Sequence, residues 1–524
     1  MPDTLTTVGI VVVILAAWLL RSVPQWLSPA GAGVDHWYWK TYVETYRRTG
    51  EFPPRLPQYV LEEGQWYPPL FGVLLAHLPS ALLDRWSQQV AVLIDLGRLA
   101  LLLGIAAWQS GGNDAVLIVA GLVYATTPIQ ISYNSQLNPR GLAAMMLDGL
   151  LMALLSVLVQ GGQWWVWLLV VVLGGLILLT HKMTTQLLLV LVVGTAAIYR
   201  RPELLLLVPA CMAAALVLSR GFYWKVLRAH LDIVQFWHRN WRWIGADPIR
   251  ESPIYGDGSY ERPEKLHKTG LRGVLWHAFI LLGFNPAAWI ACLLVYERVF
   301  APSALLIYPT PFLLWLLLAC LWAVLTSIVV PLKRFGAGYL YVYNTSLLAS
   351  LVLGLTYAYT RSPVLSTSVV AIAIGLNLLG VALYYRQFLH SRRARVDEGL
   401  DRMLNRLAAC DRGVVMCLPA NWYEVVAYRT GQPVLWGAHG YGFRLIEPTW
   451  PRVLMPLDEL MRRYDVRYLL TMEGMLTPEA ERDLPSGTCV SDDTYRLYCF
   501  NQGAPAAAAP AGAGVAVAGE AGRG

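Results

Sequence analysis

The sequence predicts a polytopic α-helical membrane protein with a small C-terminal α/β domain. Three observations carry this expectation. Hydrophobic residues occupy 56% of the 524 positions and charged residues only 14%, with a mean hydropathy of +0.46, a balance foreign to soluble chains. Apolar stretches able to cross a hydrocarbon core about 30 Å thick recur from the N-terminus to about residue 385. Beyond about 396, short β-rich runs alternate with helical ones.

In chain order, about eleven spans are expected, at roughly 7–22, 88–108, 114–131, 141–160, 164–180, 184–199, 203–219, 272–296, 304–331, 339–359 and 364–385. The segment 68–83 opens with Pro68-Pro69 and is short, so it reads as a helix lying in or dipping into the interface. Many of the 21 Trp and 27 Tyr flank the apolar runs, as interfacial belts do. The N-terminal apolar segment lacks a basic leader and reads as an uncleaved helix, despite the small-residue stretch Ser28-Pro29-Ala30-Gly31-Ala32.

Three long connections have room for chemistry: 23–87, 220–271 and the region after 386. With the N-terminus inside, all three lie on the outer side, and Tyr199-Arg200-Arg201 falls inside, as the positive-inside rule prefers. Lys333-Arg334 and Arg392, Arg393 and Arg395 then fall outside, against that rule. The expected organisation is a transmembrane domain over 1–395 with the two outer loops, a soluble α/β domain over 396–502, and a disordered Ala/Gly/Pro tail over 503–524.

The formal net charge of +7 is spread through the loops, so it reads as membrane-surface charge and no nucleic-acid partner is expected. Cys211, Cys292 and Cys320 sit in apolar runs as small core residues. Cys410, Cys417, Cys489 and Cys499 follow in the polar region. A symmetric hairpin centred near Thr494 would set Cys489 opposite Cys499, a pairing that predicts a disulfide in an oxidising compartment. No metal site is expected, because neither a paired acidic motif nor a His-Glu helix motif occurs. The aromatic and basic run from Phe236 to Trp243 reads as interfacial.

The residues that point to chemistry begin just past the first span. Gly33-Val34-Asp35-His36-Trp37 places an acid at the bilayer surface, where a carboxylate is costly unless it is solvated or paired. As a structural residue, Asp35 would cap a helix starting at His36; as a chemical one, it would serve as a general base. Tyr67-Pro68-Pro69-Leu70-Phe71 follows in the same loop, preceded by Glu62-Glu63. Cations recur where spans meet the same face: Arg140, His181-Lys182 and Lys333-Arg334. Arg offers bidentate contacts to a phosphate and Lys a point charge, although any one of them could instead snorkel to lipid head groups.

This pattern resembles the GT-C glycosyltransferases, in the protein O-mannosyltransferase and aminoarabinose-transferase-like branch. The resemblance rests on Asp35 after the first helix, on the Pro-Pro-Leu segment at 68–70, and on Leu332-Lys333-Arg334-Phe335 through Tyr339 and Tyr341. It implies a hexosyl- or pentosyltransferase that takes a sugar from a polyprenyl-phosphate donor. No further cofactor is expected. In that reading Asp35 is the general base, while Arg140, His181, Lys182, Lys333 and Arg334 hold the donor phosphate. His36, Tyr67 and Tyr339 would touch acceptor or sugar. The Asp-Glu pair of many relatives is Asp35-His36 here, so Glu62 or Glu63 is the expected second acid. The implied partners are membrane lipids, the lipid-linked sugar and a glycan, lipid or protein acceptor. The implied place is the bacterial inner membrane, with the C-terminal domain extracytoplasmic.

Two other classes stay open on the residues alone. A flippase of lipid-linked sugars would use the many spans, yet no internal repeat is visible. A polymerase or ligase of lipid-linked glycans would rely on His238, Arg239 and Arg242 in the second loop.

Overall fold

A computed structural model describes residues 4–28, 33–52, 54–61, 64–243, 247–260, 270–296, 309–360, 362–390, 396–437, 443–492 and 494–500. Glu62, Glu63 and the tail 503–524 lie outside the described residues. The chain opens with α1 (Thr4–Leu27), then α2 (Val34–Thr49) and the seven-residue α3 (Leu70–Ala76). A helix of that length advances only about 10 Å, so the Pro-Pro-Leu segment does not cross the membrane. Next come α4 (Ser80–Ser110), α5 (Asp114–Thr126) and α6 (Pro128–Asn134), α7 (Arg140–Gln160), α8 (Trp164–Leu178), α9 (Lys182–Ile198) and α10 (Leu207–Leu218). The second long loop holds the amphipathic α11 (Tyr223–Asn240). After it stand α12 (Gly270–Phe284) and α13 (Pro286–Tyr296), α14 (Pro309–Ile328), α15 (Ser346–Tyr359) and α16 (Pro363–His390).

Among the described residues, six helices are long and apolar enough to cross a membrane, or up to eight spans if each bent pair counts as one. The pairs bend by 55° after α5 and 98° after α12. Each bend falls at a proline, Pro128 or Pro286, which cannot donate to the preceding turn.

Two buried ion pairs tie this bundle together. The Arg21 guanidinium of α1 bonds Asp95 on α4, and the second oxygen of Asp95 accepts from the Tyr124 hydroxyl at 2.6 Å. Arg98, one turn along α4, pairs with Asp148 on α7 and donates to the carbonyls of Tyr343 (3.3 Å) and Asn344 (3.4 Å). The two arginines and Asp95 are completely buried, and Asp148 nearly so. Each charge meets an opposite one, which makes its burial tolerable in an apolar setting.

The C-terminal region adds α17 (Glu398–Ala408), β1 (Val414–Leu418), α18 (Tyr423–Thr430), α19 (Leu457–Arg463), β2 (Val466–Met472), α20 (Pro478–Arg482), β3 (Gly487–Asp492) and β4 (Tyr495–Phe500). The strands form one sheet in the order β1-β2-β4-β3, with β1 parallel to β2 and the other pairs antiparallel. This region shares its core with the long loops. Trp37, Tyr38, Trp39 and Tyr42 of α2 cluster with Trp422, Val426 and Val434. Tyr59 bridges to Val434 and bonds Glu424, and Ser252 Oγ donates to the Val453 carbonyl at 2.6 Å. Loops 23–87 and 220–271 and the sheet therefore lie on one side of the membrane.

The structure corrects the expected disulfide. The β3–β4 register pairs Asp492 with Tyr495, Cys489 with Tyr498 and Thr488 with Cys499. The hairpin axis is half a residue away from Thr494, and in a strand that slip turns Cys489 and Cys499 to opposite faces. No disulfide joins these two residues. The run from Phe236 is also not lipid-facing as a whole: Phe236 is buried and stacks on Trp450, with ring centroids 5.6 Å apart.

Replacing Asp148 by Asn leaves the Arg98 charge buried without a counter-charge. The expected loss is about 3–5 kcal/mol, read as a fall in Tm of the detergent-solubilised protein. Arg98→Met with Asp148→Leu, which removes both charges, is expected to recover most of that loss. Equal damage in the single and double variants would contradict this account of the pair.

Candidate functional site

Asp35 is the second residue of α2, and the position before that helix is Gly33, whose side-chain-free backbone has φ +86°. Asp35 is therefore not the cap of a helix starting at His36, the structural alternative to its chemical role. It lies in the first turn, half-buried, where the helix dipole favours a carboxylate. The positive φ favours glycine here, and a Cβ would have to displace the Gln136 side chain, whose Oε1 lies 1.4 Å from its position. Asn138 organises that turn: its Oδ1 accepts from the Arg140 amide at 2.9 Å, and its Nδ2 donates to the Gln136 carbonyl at 2.9 Å. The side chain of Asn138 thus sets Arg140 at the head of α7, facing the start of α2.

Three side chains feel the charges of both Asp35 and Arg140: Tyr67, Tyr133 and Lys182. Tyr67 is buried, which raises its phenol pKa; Asp35 raises it further and Arg140 opposes. The Arg140 guanidinium lies over the Tyr133 ring at 4.6 Å, and Nη1 is 4.0 Å from Met183 Sδ. Its Nε is buried without a hydrogen-bond partner among the described residues. No described carboxylate forms a salt bridge with it, so Arg140 keeps donor capacity for an anion.

The later cations join from the other end. Tyr133 is hydrogen-bonded to Tyr339, which stacks on Phe284 with centroids 4.8 Å apart. Lys333 is buried, with its ammonium 5.7 Å from the Trp241 ring, and burial lowers its pKa. Arg334 Nη1 is 3.5 Å from His238 Nδ1, and its Nε has no described partner. α11 lies along this row. Its Lys225 covers Trp66 at 5.9 Å, and its His230 lies near Lys182.

The two expected histidines differ: His181 adjoins Lys182, and His36 stands elsewhere. His181 caps α9, with Nδ1 accepting from the Thr184 amide at 3.3 Å. With Nδ1 accepting, the ring proton sits on Nε2, which stays a donor. His36 points off the far face of α2 into a separate cavity of about 280 Å³ with Lys40, Asp84 and Trp86. Burial, then the Lys40 charge, lowers the His36 pKa to about 3, so it is neutral. In the second loop, Arg239 is engaged by Glu447 through two bonds of 3.1 Å.

His230 is the residue that sequence reasoning missed. It lies on the face of α11 that buries Val226, Ala229 and Ile233. Its Nε2 is buried without a described partner, and burial followed by the Lys182 charge brings its pKa down to about 3. A lone histidine on the apolar stripe of an amphipathic loop helix was the available signal.

A cavity of about 870 Å³ adjoins this cluster. Pro69, Leu70, Val73, Leu179 and Phe222 supply apolar walls, while Arg220 and Lys225 stand at its polar side. Leu70 and Leu179 are joined by a backbone hydrogen bond of 2.9 Å. Each is three residues from a member of the cluster, Tyr67 or Lys182.

No family model matches the chain, and no curated protein sequence does. Solved structures do. ArnT from Cupriavidus metallidurans, bound to undecaprenyl phosphate, aligns with a TM-score of 0.56 and 13% identity over 95% of this chain and 98% of its own. The archaeal oligosaccharyltransferase AglB from Archaeoglobus fulgidus, in complex with an inhibitory peptide and a dolichol-phosphate, aligns at 0.52 and 11% over 90% and 69%. An Archaeoglobus fulgidus oligosaccharyltransferase tethered to an acceptor peptide aligns at 0.51 and 10% over 95% and 74%. Both neighbours are GT-C glycosyltransferases. The chain has the GT-C glycosyltransferase fold.

Proposed function

We propose that this protein is an integral membrane glycosyltransferase that moves a sugar from a polyprenyl-phosphate donor to an acceptor hydroxyl on the outer side. One observation carries the reading. A half-buried carboxylate, Asp35, shares its surroundings with Arg140 and Lys182, and the arginine keeps an unfilled buried donor. The adjoining apolar cavity, with cations at its polar side, suits a phosphate carried on a hydrocarbon chain. The structural neighbours are complexes with a dolichol-phosphate and with undecaprenyl phosphate.

In this mechanism the Asp35 carboxylate takes the proton of the acceptor hydroxyl as its oxygen attacks the anomeric carbon. The bond from that carbon to the phosphate oxygen breaks, with inversion, and the phosphate leaves with an added negative charge. Arg140 and Lys182 stabilise that charge, most strongly where water is thin. Lys333 and Arg334 extend the cationic row, with Tyr67 and Tyr339 at its edge. His230, being neutral, offers a hydrogen bond without altering the charge balance. A second acid at Glu62 or Glu63 remains part of the proposal. The count of eleven crossings is retained: the three shorter apolar helices α8, α9 and α10 complete six crossings between the two long loops, an even number, as their packing on one side requires.

Release of polyprenyl phosphate from a panel of polyprenyl-phosphate sugars, by purified protein in vesicles supplied with envelope extract, tests the activity. Turnover of none of them would sink the proposal.

Asp35→Asn is expected to lower that rate by about 10²–10⁴-fold with Tm unchanged. Activity within a few-fold of wild type removes Asp35 from the mechanism. Arg140→Gln is expected to cut kcat/KM for the donor by about 10–100-fold, in line with the roughly 1.5–3 kcal/mol of a hydrogen bond to a charged group. An unchanged value would place the phosphate elsewhere. The exposed Cys489 reports the topology. An impermeant thiol reagent is expected to label it in intact cells, and protection until lysis would put the sheet inside.

A further inference from the structure

We propose that Cys410 and Cys499 are joined by a disulfide that fastens the last strand to the helix preceding the sheet. The proposal rests on the outer location of this region. Along β4, Tyr495, Leu497 and Cys499 share one face, because side chains alternate along a strand. Tyr495 marks where α17 begins: its hydroxyl donates to Asp397 Oδ2 at 2.7 Å, and a Cβ on Gly399 would touch its ring at 2.8 Å. From Tyr495 to Cys499 the strand advances about 13 Å. From Gly399 to Cys410 the helix and its closing turn advance about 16 Å. Helix and strand run side by side, so the helix end arrives at Cys499.

A second contact gives the same answer. Tyr468 on β2 is the direct cross-strand partner of Cys499, so the two side chains share a face. The Tyr468 hydroxyl donates to the Asp411 carbonyl at 2.9 Å, one residue beyond Cys410. The Cys410 thiol lies within side-chain contact of Cys499 and donates to the Arg406 carbonyl at 3.3 Å. The remaining cysteines of this region are unsuited. Cys417 is buried on β1, and Cys489 is exposed on the opposite face of the hairpin.

Oxidation breaks two S–H bonds and forms one S–S bond. Two protons go to solvent, and two electrons go to an exchanging disulfide of the oxidising compartment. The bond would hold β4 against α17. That helix packs on α18, which in turn docks on α2 through Tyr428 and Glu44 at 2.8 Å.

Full-length protein, purified from its native membrane without reductant, is alkylated and mapped by mass spectrometry. The expected result is one cross-linked peptide pair holding Cys410 and Cys499, with Cys489 alkylated. Reductant is expected to lower the Tm by at least about 5 °C. The Cys410→Ser, Cys499→Ser double variant should show the lower Tm with and without reductant. Alkylation of both residues in the unreduced protein overturns the proposal. Oxidised glutathione, added to that protein, then separates the two causes. Bridge formation would mean that the geometry holds and the outer location fails. No bridge would mean that the geometry itself is wrong, with the function untouched.

Discussion

The buried pairing of Arg98 with Asp148 is the constraint on which the rest of the molecule leans. A charge inside an apolar bundle fixes its partner within hydrogen-bond distance, since neither can turn to water. Arg98 also takes the carbonyls of Tyr343 and Asn344, so this one guanidinium ties α4 and α7 to the 3-10 segment Gly338–Thr345. Tyr343 in turn donates to Asn134 at 2.8 Å, and Asn134 ends α6 just before the turn that presents Arg140. The same 3-10 segment carries Tyr339 to the site. Two walls of the candidate site are thus registered to each other by an ion pair in the span below it.

The sheet supplies a third wall from the opposite end of the sequence. α2 carries Asp35 on one face, while Trp37, Tyr38 and Trp39 enter a core shared with residues beyond 396. The Lys40 ammonium lies 4.7 Å from the Tyr428 ring, and Tyr428 is bonded to Glu44. The orientation of the carboxylate therefore depends on packing with residues nearly four hundred positions away. Just before α2, Gly33 meets Gln136 of the bundle.

What the sequence made legible was what periodicity and local chemistry control. Apolar runs announced the bundle, and the positions of α17, α19, β1, β2 and β4 follow their patterns. The short α3 was readable from Pro68-Pro69. That Lys182 lies within electrostatic reach of both Asp35 and Arg140 is a property of the fold. The failures arose where tertiary context decides. The hairpin axis depends on loop length, and half a residue was enough to separate Cys489 from Cys499. The sequence did not show that the His181 ring also caps the start of α9 through Nδ1. One of the short β-rich runs, around Val434, forms only isolated bridges, to Tyr59 and Val415. His230 was hidden in a helix whose neighbours only the fold supplies.

The bond between Tyr59 and Glu424 spans 365 residues of chain. At roughly 5–20 residues per second of synthesis, the first loop emerges about 20–70 s before its partner exists. Through that interval the aromatic cluster of α2 has no sheet to cover it, and the helix bearing Asp35 has no fixed pose. Biogenesis therefore has an order: the bundle assembles first, and the loop waits as a sticky intermediate. The candidate site is completed last, when the final hundred residues arrive. A nascent chain arrested before α17 would be inserted in the membrane yet lack an organised site.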